Sequence, residues 1–174
     1  MSSGQGSSIT IQDVPPNQRE DLVPILEDSF DGWYLRHSKR TLMEIGLVRE
    51  AKIDGRPAGL VMLKELGNLL GYVYYIAVSK NFRGRGIGAK LLDNSLAYFS
   101  SCGMNEVYAS VEEDNVESHR LFTSRAFKKT TRGELAKKYG TINSFVLLRK
   151  MLIVPGEIIL YCELNSKLDK QTPS

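Results

Sequence analysis

The chain has little of several things. Two cysteines, Cys102 and Cys162, and two histidines in 174 residues supply no disulfide framework, no Cys-x-x-Cys pair and no His-Glu-x-x-His metal motif. No apolar run approaches the roughly 20 residues that span a bilayer. Residues 1–8, Ser/Gly-rich, carry neither the basic segment nor the apolar core of a signal peptide and read as a flexible lead-in. Net charge is only +3, from 23 Lys and Arg against 20 Asp and Glu, which does not mark a nucleic-acid binder. The pairs Lys128-Lys129 and Lys137-Lys138 lack interleaved aromatics and read as solvated loop charge. With 42% hydrophobic and 25% charged residues, one soluble, cytoplasmic domain with a sizeable core is expected, with no metal, no membrane and no nucleic acid.

Residues 8–14 form a β-branched run that stops at Pro15-Pro16, hence a strand. Residues 17–30 read as a helix capped by Asn17, with Glu20 completing a capping box and Pro24 forcing a kink or break. A second helix is expected from about Ser38. Residues 50–54 and 58–65 flank Asp54-Gly55 as a hairpin. Residues 67–71 read as another turn. The strongest strand is 72–78, near-continuously apolar or aromatic, as suits a strand covered on both faces.

Beyond it a glycine-rich loop, 81–88, opens a helix whose Ala89, Leu92, Leu96 and Phe99 share one face, and Gly103 closes it. Residues 106–111 read as a strand, and Asp114 or Asn115 caps a helix to about Arg125. Two strands are predicted at 127–130 and 144–152, joined by a basic, irregular stretch. An additional strand is predicted at 157–164; few charges and high strand propensity require it to be paired, within the sheet or across a homodimer interface. The sum is an α+β fold: a mixed, largely antiparallel sheet flanked by helices. The expected organisation is a lead-in over 1–8, the domain over 9–152, and an extension over 153–174 with an extra strand and a flexible tail.

The chemistry concentrates in the loop. A buried strand ends, glycines follow at alternate positions (Gly84, Gly86, Gly88), and a helix begins. Glycines let backbone N–H groups turn toward an anion, and the helix start adds donors and the positive end of a dipole. Arg83, Arg85 and Lys90 add cationic charge. A phosphate or pyrophosphate is the natural ligand. A nucleotide P-loop would need Gly-Lys-Ser/Thr, which Gly88-Ala89-Lys90 does not supply. The dinucleotide fingerprint can be forced onto Gly84-x-Gly86-x-x-Ala89, but the flanking segments are hairpins rather than repeated βα units.

Arg83-Gly84-Arg85-Gly86-Ile87-Gly88 has the form Arg/Gln-x-x-Gly-x-Gly/Ala and resembles the pyrophosphate loop of the GNAT superfamily of N-acetyltransferases. Residues 115–127 (NVESHRLFTSRAF) resemble that family's later motif, Asn-x-x-Ala-x-x-Leu-Tyr-x-x-x-Gly-Phe. The likeness covers roughly residues 9–152. It implies acetyl-CoA as co-substrate, its pyrophosphate held by the backbone of Arg83, Gly84, Arg85, Gly86, Ile87, Gly88 and Ala89. It also implies a pantetheine arm paired along Ile76, Ala77 and Val78, with the N–H near Val78 polarising the thioester carbonyl, and cofactor contacts from Asn115 and Ser118. Asn115 reads equally as a plain helix N-cap.

The implied reaction is attack of a primary amine, on a small molecule or a protein, on the thioester. The resemblance places a proton acceptor at Tyr72; an ordinary phenol is a weak base, so a water relay is the alternative. Glu65 and His119 are secondary candidates. The family's proton-donating Tyr falls at Phe122, which cannot donate, leaving CoA to depart as thiolate or another donor such as Tyr139 or Ser118 to act. Ala126 replaces the family's Gly. The alternative function is a non-catalytic acyl-CoA-binding or sensor module.

Overall fold

The structure, a computed structural model, describes residues 8–164. They form seven strands and six α-helices: β1 (Ile9–Asp13), α1 (Val23–Ser29), α2 (Gly32–Glu44), β2 (Leu47–Ile53), β3 (Arg56–Gly67), β4 (Leu70–Val78), α3 (Ile87–Ser101), β5 (Glu106–Glu112), α4 (Val116–Thr123), β6 (Lys128–Thr130), α5 (Arg132–Tyr139), α6 (Thr141–Met151) and β7 (Glu157–Glu163). Short 3-10 helices occupy Pro16–Leu22 and Lys80–Phe82. The sheet order is β1-β2-β3-β4-β5-β7-β6. β1 with β2, β2 with β3, β5 with β7 and β6 with β7 pair antiparallel, and β4 pairs parallel with β5 over Leu70–Val73 and Glu106–Ala109. The predicted α+β sheet is therefore present. The predicted lead-in and tail lie mostly outside the described residues.

The described residues fall into two compact units, one of residues 8–63 with Tyr75–Asn94, the other of Lys64–Tyr74 with residues 95–164. In the first, β1, β2 and β3 form a meander, and Asp54-Gly55 takes positive φ at both residues (50° and 77°), as a two-residue hairpin requires. The single predicted helix over 17–30 is two: Pro24 sits in the first turn of α1, where its missing N–H costs nothing, and Pro16–Leu22 is 3-10, with no side-chain cap from Asn17. Helix α2 starts six residues before the expected Ser38, at Gly32. Its C-terminal carbonyls are met by the buried Arg19, which donates to Leu42 O at 2.9 Å and Ile45 O at 2.6 Å, a cation where the helix dipole favours one.

In the second unit, residues 144–152 are not the predicted strand but the body of α6. Ser144, Leu147 and Met151 are its buried side, a helical spacing of three and four. The basic, irregular stretch is α5, opened by a capping box in which Thr131 and Glu134 exchange side-chain and backbone bonds. The additional strand, β7, lies inside the sheet between β5 and β6, so it needs no second copy of the chain to cover its edges. Leu66, Leu70, Tyr72, Tyr108, Leu135, Leu147, Met151 and Ile159 form one buried cluster.

Candidate active site

The first unit carries the loop. Strand β4 ends at Val78, the 3-10 turn follows, and α3 begins at Ile87. Gly84 and Gly86 both take φ +74°, a conformation that costs a residue with a Cβ about 1–2 kcal/mol. A Cβ at either would meet nothing within 4 Å, so the loop's surface is open. The first intrahelical bond runs from Lys90 N–H to Gly86 O at 3.0 Å. The N–H groups of Ile87, Gly88 and Ala89 precede it, at the positive end of the α3 dipole.

The helix is held tightly against the sheet: a Cβ on Gly59 would stand 3.0 Å from Ala77 O and from Ile87 Cγ2. Only glycine at that point of β3 lets α3 start so close to β4. These features fit a polyphosphate that binds through backbone donors.

The loop's cations do different things. Arg83 folds back, its Nε donating to Val78 O at 3.1 Å and Nη2 to Asp28 O at 2.9 Å; it braces the turn. Arg85 lies over the Phe82 ring, 5.5 Å from its centroid, with Arg56 at 5.6 Å, leaving two guanidinium groups beside the loop. Asp28 accepts from Ser79 Oγ at 2.7 Å and from Lys80 N–H at 3.1 Å. Those bonds hold its carboxyl below the usual carboxylate range.

The join between α1 and α2 follows β4 outward. After Asp28, Ser29 Oγ reaches Val78 O at 3.4 Å. Phe30 packs edge-on against Tyr75 at 5.3 Å. His37 Nδ1 lies 2.8 Å from the Tyr75 hydroxyl, and Trp33, one helical turn before it, stacks on the imidazole at 4.8 Å and 12°. Nothing in the local sequence marks Asp28, His37 or Tyr75. Pairs separated by 38 to 52 residues leave no local signal; the i, i+4 spacing of Trp33 and His37 was the one trace available.

The second unit holds the other expected positions. Tyr72 is buried, 1% exposed, its hydroxyl 2.8 Å from Ser110 Oγ and its ring edge-on to Tyr74. Glu65 is exposed on β3. Asn115 caps α4, its Oδ1 accepting from Ser118 N–H at 3.0 Å. His119 Nε2 lies 3.1 Å from Glu112 O. Phe122 is buried against Phe127, centroids 5.0 Å apart. Tyr139 belongs to a cluster at the start of β5: Glu106 accepts from Tyr108 at 2.5 Å, from Tyr139 at 2.6 Å and from Lys138. Burial raises the Glu106 carboxyl, but those donors outweigh it and hold it below its ordinary value. Among the described residues no three His, Cys, Asp or Glu are grouped to hold a metal ion, and no helix is long and apolar enough to cross a membrane.

A buried strand opening through a glycine turn into an anion-receptive helix, in a sheet of this order, defines an α+β protein built to hold a phosphate-bearing ligand. The chain belongs to the acetyltransferase (GNAT) family, whose model matches residues 12–127. Relatives include the mycothiol acetyltransferase of Stackebrandtia nassauensis, 31% identical over 49% of this chain and 29% of that protein. That of Actinosynnema mirum is 25% identical over 70% of this chain and 45% of its own. The chain thus spans less than half the length of these curated relatives.

Three solved structures share the fold. An IAA acetyltransferase from Bacillus cereus is 22% identical, with TM-score 0.67 over 90% of this chain and 100% of that one. The ribosomal-protein-S18-alanine N-acetyltransferase from Escherichia coli is 14% identical, with TM-score 0.70 over 95% and 99%. The PaiA N-acetyltransferase from Thermoplasma acidophilum, in complex with coenzyme A, is 15% identical, with TM-score 0.69 over 90% and 99%.

Proposed function

We propose that this protein transfers acetyl from acetyl-CoA to a primary amine by direct attack on the thioester. The observation that carries the reading is the open loop at the start of α3, with Gly84 and Gly86 at φ +74° ahead of the first helical hydrogen bond, in a chain of the GNAT family. Backbone N–H groups of residues 83–89 hold the pyrophosphate, with Arg85 and Lys90 as nearby counter-charge. Backbone groups of Ile76, Ala77 and Val78 pair with the pantetheine arm, and the N–H near Val78 polarises the thioester carbonyl. Asn115 and Ser118 are further cofactor contacts on the same resemblance, which also offers Tyr72 as a candidate proton acceptor, with Glu65 and His119 as secondary candidates. The acceptor is an amine on a small molecule or a protein, and the compartment is cytoplasmic, in keeping with two free cysteines.

Phe122 favours a second reading, a non-catalytic acyl-CoA sensor, because the ring at the family's tyrosine position has no proton to give. Mixing the protein with acetyl-CoA and a panel of primary amines, and following thiol release, separates the two. Turnover on any amine supports the transferase. Tight CoA binding without turnover supports the sensor, and failure to bind acetyl-CoA overturns both.

A further inference from the structure

The first unit places an imidazole and a phenol in hydrogen-bonding contact, the phenol three residues before Val78, whose N–H is assigned to the thioester carbonyl. Tyr75 precedes Ile76–Val78, so its Cα stands about 10 Å from that of Val78 along an extended strand. Its hydroxyl lies 2.8 Å from His37 Nδ1. Both residues are half-buried, and Trp33, 43% exposed, carries the same aromatic group to the surface. The route is continuous: Asp28 binds Ser79 and Lys80, Ser29 reaches Val78, and Phe30 and His37 meet Tyr75. Thr41 Oγ1, 3.3 Å from the same nitrogen, fixes the ring one turn further along α2. With Tyr75 donating into Nδ1, the imidazole proton sits on Nε2.

We propose that Tyr75 and His37 form the relay that deprotonates the acceptor amine, an inference that rests on the acetyl-transfer reading above. The incoming ammonium gives a proton to the Tyr75 oxygen as the phenol's own proton passes to His37 Nδ1. The imidazolium so formed lies against the Trp33 ring, whose face favours a cation. The freed lone pair attacks the thioester carbon; the C–N bond forms, the C–S bond breaks, and its electron pair leaves on the CoA sulfur. That sulfur takes the second proton from the acceptor nitrogen, and His37 returns its proton to water. Tyr75 touches the substrate; His37 acts through it, as a positioning residue and proton store. The relay uses a neutral phenol flanked by an imidazole, which answers the weakness of a lone tyrosine as a base at neutral pH.

The test measures kcat, the amine KM and the acetyl-CoA Kd for wild type, Tyr75→Phe, His37→Ala, His37→Gln and Tyr72→Phe, on an amine that the wild type acetylates. The relay predicts that Tyr75→Phe and both His37 variants lose about a hundredfold in kcat, with acetyl-CoA Kd unchanged, and that imidazole restores part of the rate to His37→Ala. His37→Gln keeps a hydrogen-bond acceptor for Tyr75 and is the variant that preserves the fold. Rates within twofold of wild type in folded Tyr75→Phe or His37→Gln overturn the relay while leaving acetyl transfer intact. So does loss of rate in Tyr72→Phe alone. A wild type that binds acetyl-CoA and acetylates no amine overturns relay and transferase together.

Discussion

The carboxylate of Asp28, at the end of α1, binds the Ser79 hydroxyl at 2.7 Å and the Lys80 N–H at 3.1 Å. The backbone carbonyl of the same residue takes Arg83. One residue from a helix more than fifty positions earlier therefore sets where the strand stops and the loop begins. Asp28→Ala frees that turn. Acetyl-CoA affinity is expected to fall about fivefold, the size of effect lost charge-assisted hydrogen bonds produce, with the fold retained. Titration calorimetry checks this, and an unchanged Kd counts against the brace.

Glu106 ties α5 to β5 through Lys138, Tyr139 and Tyr108. Its carboxyl is depressed in the fold, so the stability it contributes is present above the ordinary carboxylate pKa, 4.5, and is lost as pH falls through the lower folded value. Glu106→Gln should cost about 2–3 kcal/mol at pH 7. The gap between variant and wild type should narrow at pH 3. Urea unfolding at the two pH values shows whether it does.

Ala126 stands at φ +61° where the family motif has glycine. Left-handed backbone penalises its Cβ, and the extra freedom of glycine in the unfolded chain offsets part of the gain. Ala126→Gly should therefore stabilise by about 0.5–1 kcal/mol. A lowered Tm would show that the turn bears no strain.

Cys162 is buried and its thiol is pushed up to about 12, chiefly by burial, whereas Cys102 is exposed. A thiol reagent at pH 8 should label Cys102 in the native protein and both cysteines in urea. Native labelling of Cys162 would mean that β7 opens readily.

The loop, the sheet class and the cap at Asn115 were legible because each depends on local chemistry: glycine where φ turns positive, alternation in strands, an Asx side chain at a helix start. Residues 144–152 misled because Phe145, Val146 and Leu148 make a β-like run. Yet Phe145 and Val146 are exposed, and Ser144, Leu147 and Met151 face inward, a period the run concealed. The start of α2 was hidden by Trp33 and Tyr34, aromatics with modest helix propensity. Pairings such as His37 with Tyr75, or Asp28 with Ser79, exist only once α1 and α2 lie along β4, and no spacing in the chain announces them.

The central claim is that the backbone of residues 83–89 holds acetyl-CoA, and binding of acetyl-CoA to wild type and to Gly86→Glu, with circular dichroism to confirm the fold, tests it most directly. A glutamate at position 86 puts a carboxylate at the pyrophosphate and a side chain at φ +74°. The account predicts saturable binding by the wild type and none by the folded variant, and equal affinity in the two would contradict it.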